Sequence, residues 1–208
     1  RSLAELGPSL VSDEIYHGLV YDGHETTSAL TVSTEAFVLD GFSKRYAMTG
    51  FRLGWLVAPE WAAASLRVMQ QNFFISAGEV AQRAGLEALK LGPQAYSGMR
   101  DRYQRSRDFL VQGLRELGFG IPCPPAGAFY VLADARRFGD DSLALAHALL
   151  EKAGVAVTPG VDFGRSAEGM LRFSYAVEPS SLEEALQRLA RVLPEWEKAP
   201  QGSKKEEA

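Results

Sequence analysis

The chain has 208 residues, of which 46% are hydrophobic and 23% charged, with a formal net charge of -4. Such a composition is that of an ordinary globular protein of one or two domains, and it offers no basic surface for nucleic acid. A single cysteine, Cys123, excludes an intrachain disulfide and supplies no structural zinc site, and no uninterrupted apolar run reaches the ~18–20 residues of a membrane span.

No basic-then-apolar leader precedes the first elements, so a cytoplasmic protein is expected, with a small molecule or another protein as partner. The chain opens on Arg1 and enters an apolar stretch almost at once, which reads as an interior cut through a larger protein. Leu10 to Tyr16 follows a Gly-Pro pair and predicts a short strand running out into polar residues. Glu35 to Gly41 predicts a second strand, with Phe37, Val38 and Leu39 too apolar to face water, and Leu53 to Ala58 a third, closed by Pro59. After Pro59 the period changes. Trp61, Ala64, Leu66, Val68 and Met69 predict a helix with Pro59-Glu60 at its start, and Glu79 to Leu91 a second one, buried along Val80, Ala84, Ala88 and Leu91.

Met99 to Leu117 predicts one long charged helix, ended by Gly118, of the kind that often bridges two lobes. Phe109, Leu110, Leu114 and Leu117 form its apolar stripe, while Arg100, Arg102, Arg105 and Arg107 are expected to stay solvated. Beyond it come strands at Ala128–Leu132, Val155–Val157 and Met170–Ala176, and helices at Ser142–Ala153 and Ser180–Leu193. From Pro200 the chain is too polar to bury and is expected to be disordered. Alternating strands and helices make this an α/β protein, and no internal repeat is present. Cys123 is expected to be a semi-buried, inert thiol beside a proline turn. His17, His24 and His147 share no metal-ligand spacing, and His17 reads as a solvated loop residue.

The chemistry concentrates between Gly41 and Trp55. A strand ending at Asp40-Gly41 delivers Lys44 into a loop hedged by small residues, and a lysine partly desolvated there is a candidate imine-forming amine. The loop returns through Gly50, Arg52 and Gly54, and Arg52 offers a bidentate fork for a phosphate or carboxylate. Ser43-Lys44 followed by Gly50-Phe51-Arg52-Leu53-Gly54, with the arginine eight positions after the lysine, resembles the lysine signature of the class I/II aminotransferases, the pyridoxal-phosphate (PLP) enzymes of fold type I.

That resemblance covers about Leu10 to Leu193 and implies residue roles. Lys44 forms the internal imine with PLP and later moves the substrate proton, while Arg52 binds the cofactor phosphate. Upstream, Asp13 and Tyr16 fit the family's strand ending in Asp-x-x-Tyr. A carboxylate at Asp13 keeps the pyridine nitrogen protonated, as an electron sink requires, and the Tyr16 hydroxyl meets the ring oxygen. Arg172 lies in the apolar strand Met170–Ala176, where alternation alone points it outward; the resemblance implies instead that it clamps the substrate α-carboxylate. Val155–Gly160, Phe163-Gly164 and the arginine strand follow the family's order. Pro125–Tyr130 resembles a segment entering the small domain and is assigned structure. Phe73-Phe74 falls near the family's dimer interface and is assigned to core packing. Gly41 departs from the pattern: many members carry there a serine that binds phosphate, and Ser43 is the candidate substitute.

The implied fold is the C-terminal part of fold type I: the rest of a large domain with a mixed, mostly parallel sheet over residues 1–95, a linking helix and small α+β domain over 96–199, and a tail at 200–208. The implied activity is transamination between an α-amino acid and a 2-oxo acid, with PLP as cofactor, by a homodimer. The fragment alone lacks the segments that complete the family's site and is expected to be inactive. Two alternatives share the residues: a PLP-dependent C–S lyase or other lyase of the same fold, and a non-catalytic effector domain of a transcription regulator.

Overall fold

The computed structural model describes residues 7–196; the start of the chain and the expected polar tail from Pro200 lie outside them. The chain divides into two compact units. One runs to Asp101 and takes in Ala126–Ala128; the other comprises Arg102–Pro125 and the chain from Phe129 onward.

The first unit is built on a three-stranded sheet of β1 (Val11–Asp13), β2 (Phe37–Gly41) and β3 (Gly54–Val57), in that spatial order. β1 pairs parallel with β2, and β2 antiparallel with β3, so the sheet is mixed. The strand expected over Leu10–Tyr16 stops at Asp13, because the Asp13 side chain accepts a hydrogen bond from the Ile15 N–H at 3.1 Å and turns the chain. Helices α1 (Glu60–Phe74) and α2 (Glu79–Lys90) follow, with acidic Glu60 and Glu79 in their first turns. The core of this unit holds Leu19, Tyr21, Ala36, Val38 and Phe42. Residues 126–128 join it because Val20 and Gly127 form an antiparallel bridge and the buried Tyr21 hydroxyl donates to the Ala128 carbonyl.

The apolar stripes predicted for α1 and α2 are only partly buried. Ala62, Gly85 and Ala88 are covered, whereas Trp61, Val68, Met69, Val80 and Leu91 are exposed. Phe73 and Phe74, expected in the core, are 71% and 70% exposed, since no described element of this unit lies over that face. Periodicity identifies which face of a helix is apolar, not what covers it.

The second unit begins within α3 (Gln94–Glu116), which contains the boundary between the two. Its three strands, β4 (Tyr130–Asp134), β5 (Thr158–Pro159) and β6 (Met170–Ser174), form an antiparallel sheet with β6 at the centre. The strand expected at Val155–Val157 is displaced: only Thr158 and Pro159 pair, with Arg172 and Leu171. α4 (Ser142–Ala153) spans its expected residues because both ends are marked. The Asp141 side chain accepts from the Ala144 N–H, and Gly154 closes the helix in the left-handed region. α4 packs against β6 and against α5 (Pro179–Val192), and Val131, Ala133, Leu171 and Phe173 of the sheet are buried. Arg107 departs from the expected solvated row: it is buried, donates to the Pro125 carbonyl at 3.0 Å and pairs with Asp108. Phe109, expected in the stripe, is exposed, and Val111 is buried instead. Cys123 is exposed rather than semi-buried.

Candidate active site around Lys44

β1 and β2 run parallel; β1 ends at Asp13, opposite Leu39, and β2 two residues further on, at Gly41. The chain that leaves β2 carries Ser43 and Lys44, and it returns through Arg52 into β3, whose first residue, Gly54, pairs with Gly41. Asp13, Tyr16, Ser43, Lys44 and Arg52 therefore gather at one end of one sheet, the carboxyl ends of its parallel strands. Ligands of α/β sheets commonly bind there.

The lysine loop is a compact turn. Tyr46 N–H and Met48 N–H both donate to the Phe42 carbonyl, Phe42 N–H donates to Leu53, and Ala47 N–H donates to Lys44. Thr49 Oγ1 donates to the Ser43 carbonyl at 3.1 Å. Phe42 anchors the turn in the core, with its ring 4.9 Å from Trp55 and 5.6 Å from Tyr46. Gly85 lets α2 approach this anchor, since a Cβ there would lie 2.7 Å from Leu53 and 3.0 Å from the Phe42 ring.

The half-buried Lys44 amine stands 6.0 Å from the centroid of the Tyr16 ring, so the loop and the turn after β1 are brought together. Arg52 adopts a left-handed conformation (φ 52°, ψ 45°) at the end of the short 3-10 turn Thr49–Phe51. It is exposed and donates to the Thr49 carbonyl at 3.1 Å, leaving most of its fork available. Gly41 has a structural reason to lack a side chain, for a Cβ would lie 3.1 Å from both Gly54 Cα and the Leu53 carbonyl oxygen.

A residue to which sequence reasoning gave no role supports the turn. Glu14 is buried beneath it and accepts hydrogen bonds from the Ala29 N–H (2.8 Å), Ser28 Oγ (3.1 Å) and Ser12 Oγ (3.2 Å). His17 Nδ1 lies 3.1 Å from its other oxygen, and the imidazole is partly buried rather than a solvated loop group. Burial raises the Glu14 pKa, but the Ala29 N–H, Ser28, His17 and Ser12 together outweigh it and hold the carboxyl below its ordinary 4.5. The only available clue was an Asp-Glu pair at a strand end, which did not say which carboxylate turns inward. A carboxylate depressed on folding contributes stability that is present above pH 4.5 and lost as pH falls through its folded value. Glu14→Gln in the full-length protein is expected to cost about 1–3 kcal/mol at neutral pH. The gap from wild type should narrow below pH 4.5 in chemical denaturation; two curves that stay parallel down to pH 3 would show that this carboxylate carries no such linkage.

Arg172 belongs to the second unit. Leu171 and Phe173 turn into the core while Arg172 takes the opposite face of β6, as alternation predicts. It is half-buried there. Its guanidinium lies 4.2 Å from the Tyr130 ring centroid and 4.7 Å from that of Phe163, and Nη2 donates to Thr158 Oγ1 at 3.2 Å. Among the described residues it has no carboxylate partner. Two aromatic faces and one hydroxyl thus hold a cation whose charge is not neutralised within its own unit. Tyr130 ends the segment Pro125–Tyr130, whose structural assignment overlooked this contact. Phe163 is brought in by the turn at Gly160, where a Cβ would meet the Ala167 carbonyl oxygen at 1.9 Å, so only glycine fits.

Comparison with known proteins identifies the family. The family model described as aminotransferase class I and II matches residues 3–189. The chain is 42% identical over 190 residues to a valine–pyruvate aminotransferase of Mycobacterium tuberculosis, covering 89% of this chain and 48% of that one. It is 40% identical over 187 residues to an aspartate/prephenate aminotransferase of Thermus thermophilus, covering 88% and 48%. Among solved structures, an aromatic aminotransferase from Pyrococcus horikoshii superimposes with a TM-score of 0.88 at 36% identity, covering 93% of this chain and 53% of that one. The chain spans about half the length of the relatives it matches.

Proposed function

The chain belongs to the class I and II aminotransferases, a PLP-dependent family of fold type I, and on that premise we propose that its full-length protein transfers an amino group between an α-amino acid and a 2-oxo acid. The observation that carries the proposal is the convergence of Lys44, Tyr16, Asp13 and Arg52 at one end of one sheet. The donor set fits PLP. An aldehyde needs an amine, a ring nitrogen that must stay protonated needs a carboxylate, a ring oxygen needs a hydroxyl and a phosphate needs a cation. Lys44, Asp13, Tyr16 and Arg52 offer these in that order, with Ser43 beside the phosphate in place of a side chain at Gly41.

When bound, PLP supplies an electron sink for the charge released at the substrate Cα. Lys44 would hold the cofactor by its aldehyde and, once freed, would move the substrate Cα proton as base and acid. Asp13 holds the ring-nitrogen proton, and Arg172 orients the substrate by its α-carboxylate. In this reading the first unit is the remainder of the cofactor-binding domain, and the second is the small domain with its linking helix. A homodimer and a cytoplasmic location belong to the same proposal. The exposed Phe73 and Phe74 support a partner surface, and no helix among the described residues is long and apolar enough to cross a membrane.

The test is a half-reaction. Full-length protein loaded with PLP is mixed with single α-amino acids, without acceptor, and the cofactor's visible absorbance and the released keto acid are measured. One equivalent of 2-oxo acid per site, with the cofactor left in its amine form, is the expected result. Continuous release of ammonia and keto acid would replace transamination with elimination, and no reaction with any amino acid would overturn the enzymatic reading.

A further inference from the structure

Beside the proposed site lies a set of charged groups that the mechanism above does not use. Arg45 follows Lys44 in the chain, and its side chain, mostly buried, reaches back to two elements at once. Nε donates to the His17 carbonyl at 2.9 Å, and Nη2 donates to Asp40 Oδ2 at 2.9 Å. The stem lies across Gly18, where a Cβ would come within 3.1 Å of Nε and 3.3 Å of Cδ; Gly18 also has a φ of +86°. The turn that receives this contact is closed by His17 N–H to the Glu14 carbonyl and Leu19 N–H to the Tyr16 carbonyl. The residue after Lys44 therefore grips the residue after Tyr16.

We infer that Arg45 is a positioning residue, stapling the Glu14–Gly18 turn to the lysine loop through His17 and Asp40 and so fixing the Lys44 amine relative to Tyr16. The inference rests on the reading of Lys44 and Tyr16 as cofactor residues. Its physical basis is geometric. A planar fork with separate donors can satisfy a carbonyl and a carboxylate lying in different directions, which a lysine ammonium on a flexible stem does less rigidly. Asp40 is fixed in turn by accepting from the Gly41 N–H at 2.6 Å. The charged and titratable groups facing Arg45 are Asp40 and His17, with Glu14 behind His17.

The staple and a bare charge effect predict different signs. In the proposed site the Tyr16 hydroxyl donates to the cofactor's ring oxygen and holds down the proton affinity of the nitrogen that Lys44 supplies. A Tyr16 that drifts lets that affinity rise, whichever half of the staple is removed. Charge alone behaves otherwise: loss of the Arg45 cation raises the affinity, and loss of the Asp40 anion lowers it.

The experiment is a pH titration of the visible absorbance of PLP-loaded, full-length wild type, Arg45→Met and Asp40→Asn, with Arg83→Met as a surface control and Lys44→Ala to identify the lysine-dependent band. The expected result is an upward shift of the midpoint by about half a pH unit or more in both Arg45→Met and Asp40→Asn. Both should also lose about tenfold in kcat while KM for the amino acid stays nearly unchanged. Opposite shifts in the two variants, or none in either, overturn the inference. Should Arg45→Met not fold, Asp40→Asn decides alone: an upward midpoint supports the staple, and a lowered or unmoved one ends it. A wild type with no Lys44-dependent band is a distinct result that removes the cofactor reading and the staple with it.

Discussion

Lys44→Ala in the full-length protein is expected to lower turnover by roughly 10⁴-fold or more while PLP still binds noncovalently. Two roles end with one amine. In the proposed site it would be the group that holds the cofactor, and it would be the acid and base that carries the proton at the substrate Cα. The turn that presents it is held by Phe42 in the core and by backbone hydrogen bonds that do not involve the lysine side chain, so removal of the amine leaves the loop standing. Borohydride treatment followed by peptide mapping separates the roles: wild type should carry the cofactor on the peptide containing Lys44, and the variant should carry none. A small primary amine added to the variant should restore part of the proton transfer. Turnover at the wild-type level, or cofactor fixed to another lysine, would remove Lys44 from the site.

Most of the candidate site was legible because its residues are contiguous or nearly so. Ser43-Lys44 and Gly50–Gly54 occupy a single strand-loop-strand, and Asp13 and Tyr16 end the neighbouring strand, so local order carried the arrangement. α4 was legible for the same reason, with Asp141 and Gly154 marking its ends. What escaped were contacts between residues far apart in sequence. Arg107 looks like its solvated neighbours until the Pro125 carbonyl arrives above it. Glu14 is indistinguishable from Asp13 until Ser28 and Ala29 fold over it. Val155–Val157 has the composition of a strand, yet pairing starts only at Thr158, because register is decided by β6 and not by the segment itself. Phe73 and Phe74 failed differently: their apolar character was read correctly, but the surface that covers such residues need not come from the residues nearby.

The tight sheet end around Gly41 and Gly54 links these observations to function. A Cβ at Gly41 would lie 3.1 Å from Gly54 Cα and from the Leu53 carbonyl oxygen, so a side chain there needs the two strands to give slightly. With glycine in place, the proposed phosphate contacts fall to the rest of the loop. Arg52 at the mouth of β3, with Ser43, is the arrangement this backbone permits. The same closeness ties the end of β2 directly to the start of β3, with Gly41 paired to Gly54 and Asp40 to Trp55. In the proposed site, precision at the lysine would rest on backbone packing and on the Arg45 contacts rather than on the lysine side chain.

Arg172→Leu is expected to reduce kcat/KM for α-amino acids by about 10²–10³-fold, the range for removing one partner of a buried, hydrogen-bonded charge pair. The strand should survive the change, because Leu171 and Phe173 carry the core contacts of β6 and Arg172 occupies the other face. The guanidinium is already flanked by Tyr130 and Phe163 and tied to Thr158, so little ordering remains when a carboxylate arrives. Arg172→Lys keeps the charge without the fork and should recover only part of the loss. The proposed cofactor residues lie in the other unit, so the yield of cofactor fixed by borohydride should be unchanged in both variants. The decisive comparison is between an α-amino acid and the corresponding primary amine that lacks the carboxylate, each assayed with wild type and variant. A carboxylate clamp requires the variant to be poor with the amino acid and no worse than wild type with the amine. Equal losses with the two substrates would make Arg172 a structural cation of the β6 face and leave the substrate carboxylate to another residue.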